Sequence, residues 1–289
     1  MSTQPSAAAG GKLPSLGGSR NGSRVSASRR IYGLIQNRPG IILSPLSFGL
    51  LLVLWEFISR AELVAPIILP PPTRVWDGLV ILFTAPWFPQ HVWLTTAETL
   101  AGFAIGGVGA ILLGIAMVNM PLFKEVVYPY VVAFQVMPKV VLAPIFITWF
   151  GLGIESKIVM AIAISFFPVV INTVVGLESV EENAMLLMRS LVASRRQIFW
   201  KLAWPTALPS IFAGLKTSLT LALIGALVAE FVTANEGLGT LIITFSFELK
   251  VYLVFAVIIV VSVLGLALYG IMEYLDRKVV FWRHSQFTG

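Results

Sequence analysis

The sequence predicts an all-α integral membrane protein with six transmembrane helices, and three observations carry that prediction. Of 289 residues, 57% are hydrophobic and only 12% charged, with a mean hydropathy of +0.88. Soluble domains carry about twice that charge fraction, so lipid must be the solvent for most of this apolar surface. The apolar residues gather into segments near 41–59, 98–120, 128–150, 157–177, 206–232 and 252–275, each close to the roughly 20 residues that cross a bilayer. Basic residues flank those segments unequally, as membrane topology requires.

In chain order, residues 1–40 read as a disordered basic cytoplasmic tail. They are rich in Ser, Gly and Ala and carry Arg20, Arg24, Arg29 and Arg30. No apolar core follows the start, so a cleavable signal peptide is not expected. Residues 41–275 form the membrane domain. After the first span, Pro70-Pro71-Pro72 leads to Thr73, a candidate N-cap for a short amphipathic helix, VWDGLVILF. The second span repeats small residues at Gly102, Gly106, Ala110 and Gly114, and the fifth at Gly214, Ser218, Ala222 and Ala226. Small residues at that spacing let helix backbones approach closely. The third span is interrupted by Pro129, Pro138 and Pro144. A polar loop, 178–205, joins the fourth and fifth spans, and 276–289 form a C-terminal tail.

Counting Lys and Arg orients the chain. With the N-terminus inside, 14 of the 20 basic residues fall in inner segments. Arg60, Arg74, Lys157 and Lys250 fall outside, and Lys139 and Lys216 lie within spans. The positive-inside rule therefore places both termini, and the loop at 178–205, in the cytoplasm. The net charge of +6 belongs to this topology, and no nucleic-acid partner is expected.

Catalytic chemistry finds little support. There is no cysteine, and the two histidines, His91 and His284, lie far apart in sequence, so no metal cluster is expected. The fragments GGKLP at 10–14 and GLKTS at 214–218 lack the spacing of a phosphate loop. No nucleophile–base pair or carboxylate dyad is apparent.

Charges inside spans are costly, about 2.5–3.5 kcal/mol each on insertion scales, and usually face a cavity or each other. Lys139 follows Pro138 at the break in the third span; it either lines the route of an anionic solute or satisfies freed carbonyls. Lys216 lies near the cytoplasmic end of its span, where it can snorkel. Glu230 lies near the outer end of the fifth span and suits a gate, an inter-subunit hydrogen bond or an interfacial charge. Pro138, Lys139, Lys216 and Glu230 are thus the candidate pathway residues.

The stretch SLVASRRQIFWKLAWPTALPSIFAGLK, 190–216, is basic and amphipathic. Ser194 can cap a short helix opening with Arg195 and Arg196. Leu191, Ile198 and Leu202 share one side of it, away from Arg196 and Lys201. Pro205 should end that helix, and Pro209 suits the first turn of the next span. Such a helix either rests on anionic lipid or docks a soluble partner.

RSLVASRRQIFWKLAWPTALPSIFAGLK resembles the cytoplasmic signature loop of permease subunits of type I binding-protein-dependent ABC importers. LPPPTRV, LAGFAIGG, MPKVVLAPIFITWFGLG, FFPVVINTVVGL and AEFVTANEGLGTLI are similar to the family's other segments, in order from about residue 45 to 283. The likeness is to the branch that imports sulfonates, taurine, nitrate and thiamine-precursor pyrimidines. It implies a permease that is not itself an enzyme and holds no cofactor, in a bacterial inner membrane. The implied partners are a second copy of the chain, two cytoplasmic ATPase subunits carrying ATP and Mg, and an extracytoplasmic solute-binding protein. The loop around Leu186, Leu187, Met188, Arg189, Ser190, Val192, Ser194, Arg195, Arg196, Ile198, Lys201, Pro205 and Pro209 would couple ATPase movement to the spans. It departs from the family pattern: Leu186-Leu187-Met188 stand where Glu-Ala-Ala is usual, and Val192 stands where Gly is usual. Valine disfavours a left-handed turn, so either the turn shifts onto Ala193-Ser194 or the angle between the helices differs. The alternative is a stand-alone secondary transporter or channel.

Overall fold

A computed structural model describes residues 40–233 and 235–284; the expected N-terminal tail lies outside them. The described residues contain helices and connecting turns and no strand. Two compact units divide the chain, one running through Leu54 and one beginning at Trp55. The boundary falls within the first helix, α1 (Gly40–Arg60).

In the second unit, α2 (Pro72–Thr84) begins two residues earlier than a Thr73 cap would place it. Pro71 occupies the cap position and Pro72 the first turn, where the missing N–H costs nothing. The Thr73 N–H is instead satisfied by Glu56 Oε2 at 3.1 Å, and the Thr73 hydroxyl donates to Glu56 Oε1 at 3.0 Å. Arg60 also pairs with Glu56. A carboxylate borrowed from the preceding helix thus does the capping, which local sequence does not reveal.

Three long helices form the centre: α3 (Phe88–Asn119), α6 (Ile154–Glu178) and α9 (Trp204–Thr233). Helix α3 starts ten residues before the expected span and so reaches well past it. The small-residue rows predicted this packing. Gly102, Gly106, Ala110 and Gly114 are all buried, as are Gly214, Ser218, Ala222 and Ala226. Gly225 of α9 lies close against the α6 backbone: a Cβ there would lie 2.8 Å from the Ala161 Cα. The third span is divided. It comprises α4 (Pro121–Val136), a 3₁₀ turn at Lys139–Leu142 and α5 (Ala143–Phe150), with a 90° bend between its halves. Pro138 at the junction and Pro144 in the first turn of α5 remove the N–H groups that would have continued one helix.

Within the 178–205 loop, α7 (Glu182–Ser190), α8 (Arg195–Ile198) and a π-turn at Phe199–Ala203 lead into α9. A short apolar helix, α10 (Leu238–Phe247), then precedes α11 (Val251–Val279) and α12 (Phe281–His284). Helices α2, α10 and α11 share a core that includes Val75, Leu82, Leu238, Phe245 and Val257. Among the described residues, five helices are long and apolar enough to cross a membrane, or six when the bent pair is counted as one span.

Candidate functional site: the signature loop and the buried charges

The loop is built from two helix terminators. Helix α7 ends with the Val192 N–H bonded to the Arg189 carbonyl at 2.9 Å and the Ala193 N–H to the Met188 carbonyl at 3.0 Å. That is the Schellman pattern, which needs a left-handed residue after the cap. Val192 supplies it, at φ +53°. The turn therefore does not shift onto Ala193-Ser194. Valine takes the conformation that glycine would take freely, at about 1–2 kcal/mol, and its side chain is 90% exposed.

Ser194 then caps α8 as expected. Its hydroxyl accepts from the Gln197 N–H at 3.3 Å, while Gln197 Oε1 accepts from the Ser194 N–H at 2.8 Å, a reciprocal capping box. Pro205 does not end the helix. The chain passes from α8 through the π-turn into α9 as one helical segment, Arg195–Thr233, and Pro205 sits in the first turn of α9. A π-turn absorbs the register change that the absent Pro205 N–H imposes.

Ile198 and Leu202 turn inward while Arg195, Arg196, Gln197 and Lys201 stay exposed, and Leu191, expected on the covered side, is exposed as well. Phe199, Ala203 and Trp204 pack on a cluster of Leu177, Ala207 and Ile211. This fastens the loop to the end of α6 and the start of α9. Leu186, Leu187, Leu191, Val192 and Trp200 are left as exposed apolar side chains beside Arg189, Arg195 and Arg196. Nearby, Lys124 of α4 holds Glu178 at the end of α6, with oxygens at 2.5 and 2.6 Å.

The opposite end of the bundle holds a buried charge cluster that sequence reasoning found only through Glu230. Glu98 of α3, Lys157 of α6 and Glu230 of α9 are all buried. Lys157 Nζ lies 3.0 Å from Glu98 Oε1 and donates to the Glu236 carbonyl at 2.8 Å. Glu230 accepts from the Thr95 hydroxyl and from the Gly239 N–H, both at 2.6 Å. The Thr95 oxygen also accepts the Leu238 N–H at 2.8 Å, and His91 Nδ1 accepts the Gly237 N–H at 3.0 Å. Gly237, at φ +121°, lies against the Glu230 carboxylate, so this turn needs glycine. The cluster ties three spans to the start of α10 and floors a cavity of 550 Å³ lined by Leu94, Gly153, Asn235 and Glu236. Lys157, counted among the outer charges, is buried at the start of α6 and not exposed in a loop. It pays for its burial with a carboxylate partner.

The other two candidate charges have different surroundings. Lys216 ion-pairs with two residues of α11, Glu273 and Asp276, the latter at 2.5 Å; snorkelling alone does not describe it. Lys139 donates to the Gln135 carbonyl at 2.9 Å, one of those freed by the break at Pro138, and lies 5.1 Å from the centre of the Phe167 ring. No group of three metal-binding side chains occurs among the described residues.

Set beside known proteins, residues 106–281 match the family described as binding-protein-dependent transport system inner membrane component. The chain belongs to that family. This permease is 36% identical to the formylaminopyrimidine transport permease ThiX of Halalkalibacterium halodurans, over 83% of the chain and 96% of the relative. It is 33% identical to the riboflavin transport permease RibX of Chloroflexus aurantiacus, over 83% and 90%. It is 28% identical to the taurine transport permease TauC of Escherichia coli, over 84% and 90%. Among solved structures it is similar to the inward-facing methionine transporter MetNI, with a TM-score of 0.57 and 19% identity over 72% of this chain and 98% of that one. That likeness supports the type I importer permease fold. The chain is a membrane-spanning permease subunit of an ABC importer for a small solute, and the stand-alone channel or secondary transporter is set aside.

Proposed function

We propose that two copies of this permease form the pore of an ATP-driven importer, with both termini and the 178–205 loop in the cytoplasm of a bacterial inner membrane. Two ATPase subunits, which bind ATP and Mg, dock on the loop, and an extracytoplasmic binding protein delivers the solute. The solute is small and polar, within the range spanned by the pyrimidine, riboflavin, taurine and sulfonate transporters among the relatives. The single observation carrying this reading is the build of the loop. Its basic, apolar-tipped surface is exposed, while its root is continuous with α9 and packed on α6. A push on the docked helix therefore moves two central spans as a body. Arg189, Arg195, Arg196 and Lys201 offer charge to the ATPase, and the Val192 tip offers apolar contact.

Glu230 acts with Glu98 and Lys157 as a tie at the outer end of each pore half, and Lys216 as a tie between α9 and α11. Among the candidate pathway residues, Pro138 and Lys139 remain for the solute route. The test is charge reversal. Arg195→Glu combined with Lys201→Glu should abolish co-purification of the ATPase while leaving the permease folded. Full ATPase stimulation by the double variant would refute docking at this loop.

A further inference from the structure

Lys139 is set apart from the other lysines in the long apolar helices. Lys157 and Lys216 each pair with a carboxylate, whereas Lys139 has no ion-pair partner among the described residues. One of its three N–H groups is used by the Gln135 carbonyl, leaving two donors free. It stands at the 90° bend of the third span, far in sequence from either end of that span. An unneutralised ammonium at such a depth ordinarily faces a polar route or a ligand.

Its surroundings are aromatic. Lys139 lines a cavity of 250 Å³ with Phe134, Met137, Leu142, Phe166 and Phe167 among its walls. Phe134 and Phe167 stack at 16° with centroids 6.0 Å apart, and Phe166 meets Phe167 edge-on at 81° and 5.4 Å. Phe134 is 53% exposed, so the stacked pair is not sealed within the bundle. A cation over the Phe167 ring of a stacked aromatic pair, with apolar walls and two unused donors, suits one kind of ligand. That ligand has a flat ring to lie on the stack and a ring nitrogen or carbonyl oxygen to accept from the ammonium. A tetrahedral sulfonate would use the charge but would leave the rings uncovered.

We propose that Lys139, Phe134 and Phe167 form a transit site for a planar heteroaromatic solute at the bend of the third span. This rests on the permease reading and narrows its cargo from small polar solutes to flat, acceptor-bearing rings. Lys139 and Phe167 are then specificity-determining residues.

The experiment uses the full permease with its ATPase in nanodiscs. Saturation-transfer NMR measures binding of two probes, formylaminopyrimidine and taurine. The pyrimidine should bind at least tenfold more tightly than taurine. Lys139→Met and Phe167→Leu should each weaken it tenfold or more, and Phe167→Tyr should stay within twofold of the parent. Equal or tighter taurine binding, no pyrimidine binding, or indifference to both disruptive variants would overturn the site. ATP hydrolysis stimulated by the binding protein is recorded on the same samples. If it persists while pyrimidine binding is absent, the site is wrong and the permease reading stands. If the parent complex shows no such stimulation, the permease reading fails, and the transit site with it.

Discussion

Val192 and Lys157 show how much a single side chain can alter here. Val192 holds a left-handed conformation that the Schellman turn demands and a β-branched residue resists. Val192→Gly should therefore stabilise the permease by about 1 kcal/mol, the relief of αL strain less the greater entropy of glycine in the unfolded chain. Thermal unfolding in detergent reads this as a higher midpoint, and a lower midpoint would mean that the valine side chain contributes contacts outweighing the strain. Lys157 is the only cation in the buried cluster with Glu98 and Glu230 among the described residues. Lys157→Met leaves Glu98 buried without its counter-charge, at a cost of roughly 3–5 kcal/mol. Combining it with Glu98→Gln should recover a large part of that loss. Additive losses in the double variant would show that the two residues do not act as a pair.

At the scale of elements, the six apolar segments and the small-residue rows were legible because hydropathy and spacing are local properties. The loop was legible for a similar reason: Ser194 followed by Gln197 is a capping box written in four residues. Other features depend on distant neighbours. Glu98 reads as a boundary charge beside an apolar run, and only the fold brings it to Lys157, 59 positions on. The Glu56 cap on α2 and the passage of α8 into α9 through Pro205 were hidden for the same reason. The bend of the third span was half legible, since the prolines marked a break but not a 90° turn. Helix packing gives its own expectation. Gly225→Leu drives a side chain into the α6 backbone at Ala161, costing at least about 1–3 kcal/mol. Size-exclusion profiles should show loss of monodisperse protein, whereas an unchanged profile and melting point would contradict the close contact of α6 and α9.

For the whole molecule, one end carries an exposed basic loop rooted in α6 and α9, and the other carries buried charges joining α3, α6 and α9. A rigid core of three helices therefore links the two ends, as an importer driven from one side requires. Because the chain has no cysteine, single cysteines can map its topology without background. Cysteine at Val192 should react with an impermeant maleimide only in inverted vesicles, and labelling in intact cells would reverse the orientation. The most direct measurement of motor-driven import is solute uptake by vesicles that hold the permease and face its binding protein, with and without the ATPase. Accumulation only when both the ATPase and ATP are present is the expected result. Concentrative uptake in vesicles lacking the ATPase would contradict it.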